Sequence, residues 1–332
     1  MGVGDEETKG FEDTDNKRCV RRQYDLPIIR KFRERKRRKL FYFGLTGPEM
    51  HDIDDWKQFL ERDVMSAEEV EDFDLKVGRM NSVGDGLGFQ VRVLRGKIEN
   101  AMLTGRDLDG EAPLRSRQGP DGYLFFDYDL VNLDFDGGMF YDRMEAIPEF
   151  LKRQSQVESL LLITFNVRHG VHNALDQGLI DLRARLGGTR EAEAILAWYK
   201  AQPQTYRIKA IVPGVITAAA NQVKLDCFAY PPVIYDGKQA KMVHFVFHLT
   251  PHTEVLRGFA NQSEQALLGL PIIYVSKAVL ELDQRQAPDF DAATAKDSLG
   301  FLGANRADAI ISQYQSKSGV VKAPSSRPRK AQ

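Results

Sequence analysis

The sequence predicts an α/β fold: a mostly parallel sheet with helices on both faces and an antiparallel hairpin at its end. Short apolar runs recur along the chain, each closed by glycine or acidic residues and most followed by a helical pattern, the clearest being Ser159-Leu160-Leu161-Leu162-Ile163-Thr164-Phe165. Runs of that length bounded by turn residues read as strands buried on both faces, which belong to open parallel sheets. A second run, Tyr128 to Leu133, stops abruptly at Asp134-Phe135-Asp136-Gly137-Gly138. Ligands of open sheets collect beyond the carboxyl ends of the strands, so Asp134 and Asp136 are expected at the rim of the crevice. The third observation is Lys224–Tyr230 and Lys241–Leu249, separated by a turn containing Asp236-Gly237-Lys238, which reads as an antiparallel pair.

The chain has 332 residues, 42% hydrophobic and 28% charged, enough for a large core in one or two domains. A net charge of −1 predicts no strong attraction of the whole molecule to nucleic acid or membrane. Cys19 and Cys227 lie far apart with no C-x-x-C pair, which argues against a disulfide framework or structural zinc. No apolar run is long enough to span a bilayer, and the expected compartment is reducing and cytoplasmic.

Taken in order, residues 1–23 are polar and read as a mobile arm, and the mobile N-terminal arm is drawn at 1–37, ending within a basic stretch at 30–39. Within it Arg33, Arg35, Lys36, Arg37 and Arg38 read either as a phosphate-contacting patch or as a solvated helix leading into the fold. Leu40 to Phe43 is the first strand, followed by Gly44-Leu45-Thr46-Gly47-Pro48-Glu49 and a helix from Asp52 to about Leu60. A glycine turn between strand and helix lets backbone approach a nucleotide-like ligand. Asp52, Asp54 and Asp55 at that helix start would repel a pyrophosphate, so a ligand carrying a cationic group fits better. Val64 to Ala67 reads as the second strand, ending at Glu68 and Glu69, where an acid can accept from ribose hydroxyls or simply belong to a solvated acidic run. Phe89 to Leu94 is the third strand, with Gly96-Lys97-Ile98-Glu99 after it, and residues 104–122 read as an exposed loop. Helices are expected from Met144 to Gln154 and over 189–201. The α/β domain is drawn at 38–255, a helical or irregular extension at 256–315, and a disordered basic tail at 316–332.

Strands alternating with helices and then a terminal hairpin resemble the Rossmann-like layout of class I S-adenosylmethionine-dependent methyltransferases. Leu40 to Glu49 resembles the strand and glycine loop that cradle the methionine part of the cofactor, Glu68 the ribose-binding acid, and Gly96 to Glu99 the loop bordering the adenine. Asn132 to Gly138 resembles the Asp-Pro-Phe-Gly segment of tRNA guanine dimethyltransferases, with Phe135 in place of the proline. The resemblance implies S-adenosylmethionine as cofactor, held by Phe43, Gly44, Thr46, Gly47, Glu49, Glu68, Glu69, Lys97, Glu99 and Asp134. It also implies Asp134, Phe135 and Asp136 as the catalytic group, Asp134 accepting a hydrogen bond from an acceptor amine and Phe135 stacking on a base. The expected partner is RNA or DNA, or alternatively a protein partner or a second copy of the chain.

Two competing readings come from the same residues. Asp134 and Asp136, two apart, can share a Mg²⁺ with substrate oxygens in a transferase, or can merely stop the strand and cap the turn. A loose glycine loop also suits a non-catalytic module that binds nucleic acid or protein. His244, His248 and His252 recur every four residues, but on a strand they are too far apart to chelate easily and read as structural or solvent-facing. His169 and His172 are candidates for substrate contact, and Tyr230-Pro231-Pro232 is either a rim or a strand end.

Overall fold

The computed structural model describes residues 13–135, 137, 141–166, 204–238, 240–252, 266–267, 269–284 and 291–317. Asp136, Gly138, His169, His172, the helical pattern at 189–201 and the tail from 318 lie outside the described residues.

Apolar runs become strands where expected. They are β1 Leu40–Gly44, β2 Leu60–Glu68, β3 Gln90–Arg95, a small ladder of β4 Ser116–Gln118 and β5 Leu124–Phe126, β6 Leu130–Asp134, and β7 Ser159–Asn166. Then follow β8 Leu225–Ala229, β9 Val233–Asp236, β10 Lys241–Pro251, β11 Ile273–Ser276 and β12 Val279–Leu282. Among the described residues one ten-stranded sheet runs β12-β11-β9-β10-β7-β6-β1-β2-β3, with β8 also on β10. From β3 to β7 every pairing is parallel; β10 runs antiparallel beside β7. The fold is therefore the α/β, Rossmann-like sheet, mostly parallel through its centre, with antiparallel pairs at the end and helices on both faces.

Side-chain alternation divides the core in two. Leu161, Ile163, Phe165, Phe245 and Phe247 face the helices α5 Ile98–Thr104, α6 Tyr141–Gln154 and α7 Gln204–Gln222. Leu160, Leu162 and Val246 face the other way, against α1 Asp15–Cys19, α2 Leu26–Lys36, α3 His51–Trp56 and α9 Ala304–Lys317, which follows α8 Ala292–Ser298. Between β2 and β3 lies α4 Phe73–Leu87.

Several expectations need correction. Residues 13–23 are not a mobile arm: Cys19, Val20 and Tyr24 are buried in the second core, and a π turn at Val20–Asp25 joins α1 to α2. The helix after β1 runs as expected, His51–Trp56 continuing as a 3-10 turn Lys57–Phe59, but β2 begins at Leu60, so that strand is longer than the apolar run alone suggests. Nor is the stretch after 256 only helical or irregular, because β11 adds in parallel to β9 and turns into β12. The loop at 104–122 carries one short strand of the β4–β5 ladder. The second run of the expected hairpin is β10, but the Asp236-Gly237-Lys238 turn joins it to β9 rather than to β8. Both β8 and β9 lie on the same edge of β10, interrupted by Pro231 and Pro232, which have no N–H for the ladder.

Candidate functional site

A solvent-open crevice with a cavity of about 50 Å³ lies at the carboxyl ends of β1, β6 and β7, where open sheets bind their ligands. Leu45, Thr46, Gly47 and Glu49 come from the loop after β1, Asn132 and Asp134 from β6, Thr164 from β7, Tyr235 from β9 and His244 from β10. The N-terminal helical run closes the opposite wall with Lys17, Arg21 and Asp25, and Asp13 joins them from just before its first turn. These four are spaced every four residues. From Lys17 to Arg21 a four-residue step overshoots an α-helical turn of about 3.6 residues, and the wider i→i+5 turn at Val20–Asp25 brings Asp25 back into line.

The loop after β1 is fastened by Asp52 in the first turn of α3. Its carboxylate accepts from the Tyr42 and Thr46 hydroxyls, from Asn132 Nδ2 at 2.9 Å and from the Ile53 amide at 2.9 Å. Burial raises the Asp52 carboxyl above its ordinary range, and the Thr46, Tyr42 and Asn132 bonds oppose that rise. Gly47 turns the loop with φ +65°, a left-handed conformation that suits glycine. Gly44 has a different reason: a Cβ there would lie 2.3 Å from the Asn132 carbonyl oxygen, so the residue serves the close approach of β1 to β6.

Asp134 does not stand bare at the rim. Lys17 Nζ lies 2.6 Å from its carboxylate. Burial works against the Lys17 ammonium, but Asp134 outweighs it and holds the lysine above its ordinary range. Arg21 bridges Asp13 at 2.7 Å and Asp55 at 2.6 Å. Deeper in, His244 Nδ1 sits 2.7 Å from Thr164 Oγ1, and its Nε2 sits 2.8 Å from Asp25 Oδ1.

The expected cofactor residues divide into groups. Thr46, Gly47, Glu49 and Asp134 line the crevice. Glu68 ends β2 with its carboxylate 3.5 Å from Lys76, and Glu99 opens α5 bound to Arg143 at 2.9 Å. Along with Glu69 and Lys97, they follow β2 and β3 at the same edge of the sheet but outside the crevice. Phe43 is buried in the core, stacked on Tyr128 at 5.1 Å, so it offers a ligand no side-chain contact. Phe135 is a correction too. It is buried, with the Arg143 guanidinium 4.3 Å over its ring, and does not face the crevice as a stacking platform.

The basic stretch is at the other end of the sheet. Arg35 pairs with Glu158 at 2.6 Å, Lys36 with Asp129 at 3.0 Å and Arg38 with Asp129 through both terminal nitrogens at 2.6 and 2.9 Å. Asp129 and Glu158 immediately precede β6 and β7, so this is the amino edge, remote from the crevice. Arg37 is exposed and Arg33 half-buried. His244 and His248 are both buried and each meets a carboxylate, while His252 pairs with Asp226 at 3.1 Å; the solvent-facing alternative fails for the first two. Burial pushes the Cys227 thiol up to about 12, so it is no nucleophile. Among the described residues, no group of three or more His, Cys, Asp or Glu is placed to hold a metal ion. Among them also, no helix is long and apolar enough to cross a membrane.

Sequence reasoning missed Asp13, Lys17, Arg21, Asp25, Thr164 and His244 as parts of one site. The signal was present in the four-residue spacing of the first four. For Thr164 and His244 it was register, which no local pattern carries.

No family profile matches the chain. No curated protein matches it either. Among solved structures it is similar to Trm1 from Pyrococcus horikoshii in complex with S-adenosyl-L-methionine, at 14% identity and TM-score 0.43 over 95% of this chain and 79% of that one. It is similar also to an O-methyltransferase from Bacillus cereus in complex with SAH, at 11% identity and TM-score 0.34 over 72% and 92% of the two chains. A methyltransferase from Pyrococcus furiosus aligns at 11% identity and TM-score 0.31 over 70% and 93%.

Proposed function

We propose that the protein is an S-adenosylmethionine-dependent methyltransferase acting on a nucleic acid, with an amine as the favoured acceptor. The charge of the crevice carries the cofactor part of this reading. Asp13, Asp25, Glu49, Asp52 and Asp134 face Lys17 and Arg21, and an ammonium already rests on Asp134. Such a site repels phosphates and favours a ligand bearing ammonium and sulfonium charges.

The donor set suits the cofactor. Thr46, Gly47, Glu49 and Asp134 would hold the methionine part, Glu68 and Glu69 the ribose hydroxyls, and Lys97 and Glu99 the border of the adenine. When bound, the cofactor supplies an already activated methyl group. The protein's task is then alignment: to hold the acceptor in line and keep water out. Asp134 accepts a hydrogen bond from the acceptor amine and orients its lone pair. Nucleic acid approaching the amino edge would meet the exposed Arg37 and the half-buried Arg33.

A second reading, a binding module that needs no cofactor, is favoured by Lys17 filling the cation seat on Asp134. Calorimetric titration with S-adenosylmethionine and S-adenosylhomocysteine separates the two. Micromolar-range binding that is lost in Gly47→Arg and weakened in Glu68→Ala is expected; no heat at millimolar ligand would leave only the module.

A further inference from the structure

Thr164, His244 and Asp25 make a hydroxyl–imidazole–carboxylate chain for which alignment alone has no use. All three are buried and all three line the crevice. Strand register builds the first contact. Asp134 of β6, Thr164 of β7 and His244 of β10 are direct cross-strand partners, so their side chains form a row on one face. Asp25, the last residue of the π turn, closes on that row from above. The Tyr24 ring meets the imidazole edge-on at 6.1 Å, and its hydroxyl donates to the Pro231 carbonyl, which fixes the ring's orientation.

The hydrogen bonds assign the atoms their roles. When ionised, the Asp25 carboxylate only accepts, which puts the imidazole proton on Nε2 and leaves the Nδ1 lone pair to take the Thr164 hydroxyl. Charged and titratable neighbours are Lys17 and Arg21 from the N-terminal run, Asp134 from β6, Asp52 from α3 and Tyr235 from β9. Lys17 is spent on Asp134 and Arg21 on Asp13 and Asp55, which leaves Asp25 as the carboxylate of the imidazole.

Resting on the methyl-transfer reading, we infer that Thr164, His244 and Asp25 are the relay that removes a proton from the methyl acceptor. The acceptor's reacting atom therefore carries a hydrogen: it is a hydroxyl or an N–H amine, not a thioether or a tertiary amine. As that atom bonds the methyl carbon, its X–H bond breaks and the proton passes to Thr164 Oγ1. Thr164's own proton passes to His244 Nδ1, and the electron pair of the broken S–C bond stays on sulfur. Nothing is oxidised or reduced. Thr164 is the contact with the acceptor, His244 the base and Asp25 a positioning residue that stabilises the imidazolium.

Long-range nitrogen–proton NMR of the full chain tests the relay without an acceptor. The singly protonated His244 ring is expected to carry its proton on Nε2, and Asp25→Asn, whose amide can donate, is expected to move it to Nδ1. A wild-type imidazole with its proton on Nδ1, or with both protons through the neutral range, overturns the inference. In parallel, tritiated methyl transfer to unmodified tRNA transcripts should fall on the order of 100-fold in the near-isosteric Thr164→Val and recover in Thr164→Ser, with S-adenosylhomocysteine affinity unchanged. Transfer by Thr164→Val at the wild-type rate overturns it as well. Wild-type protein that binds no S-adenosylhomocysteine removes the methyltransferase reading instead, and the tautomer still decides whether the relay exists.

Discussion

Two histidines four residues apart on β10 show how the same chemistry is used differently at the two edges of one sheet. At the carboxyl edge His244 meets Asp25 and Thr164 beside the crevice; toward the amino edge His248 meets Glu158 at 2.7 Å, and Glu158 also binds Arg35 at 2.6 Å. Burial pushes both carboxyls up. For Asp25 it wins over the opposing pull of His244 and then Arg21, and the group stays raised; for Glu158, His248 and Arg35 outweigh it, and the group is held below its ordinary range. Two things differ: Asp25 is the more deeply buried, and Glu158 alone has a guanidinium bonded directly to it. One pair is a clamp that joins α2 to the start of β7. The other lacks such a direct clamp and keeps a carboxylate and an imidazole in a position to move a proton.

Removing each carboxylate sharpens that contrast. Glu158→Gln leaves Arg35 and His248 facing each other and should lower stability by about 3–5 kcal/mol, read from the denaturant midpoint. Asp25→Asn removes a carboxyl whose ionised form burial disfavours, and its stability change should stay within about 1 kcal/mol of wild type. A loss as large as that of Glu158→Gln would make both pairs structural.

Next in size is the loop after β1. Asp52→Asn places an amide against the Tyr42, Thr46 and Asn132 donors and should cost about 1–3 kcal/mol while loosening the loop that carries Gly47. Protease nicking within 45–50 would report that loosening.

The two carboxyls also differ in the sign of their pH dependence. Glu158, lowered in the fold, contributes stability that is present above its unfolded pKa and is lost as acidity passes through its folded value, below the ordinary carboxylate range. Asp25, raised in the fold, contributes in the opposite sense: stability falls as pH rises from its ordinary value toward its folded one. Denaturant midpoints against pH should therefore show a shallower acid limb in Glu158→Gln and the loss of a decline with rising pH in Asp25→Asn.

The smallest effects belong to the basic stretch. Arg33→Ala and Arg37→Ala should shift stability by no more than about 0.5 kcal/mol, whereas Arg38→Ala, which strips a bidentate partner from the buried Asp129, should cost more. If Arg33→Ala with Arg37→Ala leaves tRNA affinity unchanged, the stretch is structural throughout.

Much of the fold was legible because strands buried on both faces write themselves as unbroken apolar runs. The runs at 40–43 and 159–165 lie within β1 and β7, and Asp236-Gly237-Lys238 marked a true turn. The β11–β12 hairpin left no such mark. Its turn is made by Lys277 and Ala278 at φ +50° and +58°, where asparagine and glycine are the usual signals. The N-terminal run was misread because its charges suggested solvent, while they are consumed by partners inside the crevice; Val20, Tyr24, Ile28 and Phe32, one every four residues, were the countersign. Of the site, Thr46, Gly47, Glu49 and Asp134 were readable from strand–loop order. Thr164 and His244 meet only through the pairing of β7 with β10, a long-range fact.

The most direct measurement is calorimetric titration of S-adenosylmethionine into the wild-type protein, Asp134→Asn and the Arg33→Ala/Arg37→Ala double variant. Micromolar-range binding by wild type and the double variant, weakened about tenfold in Asp134→Asn by the loss of a charge worth about 1.4 kcal/mol, is the expected result. No heat from the wild type at millimolar ligand, or equal affinity in Asp134→Asn, would contradict a cation seat for the cofactor at the end of β6.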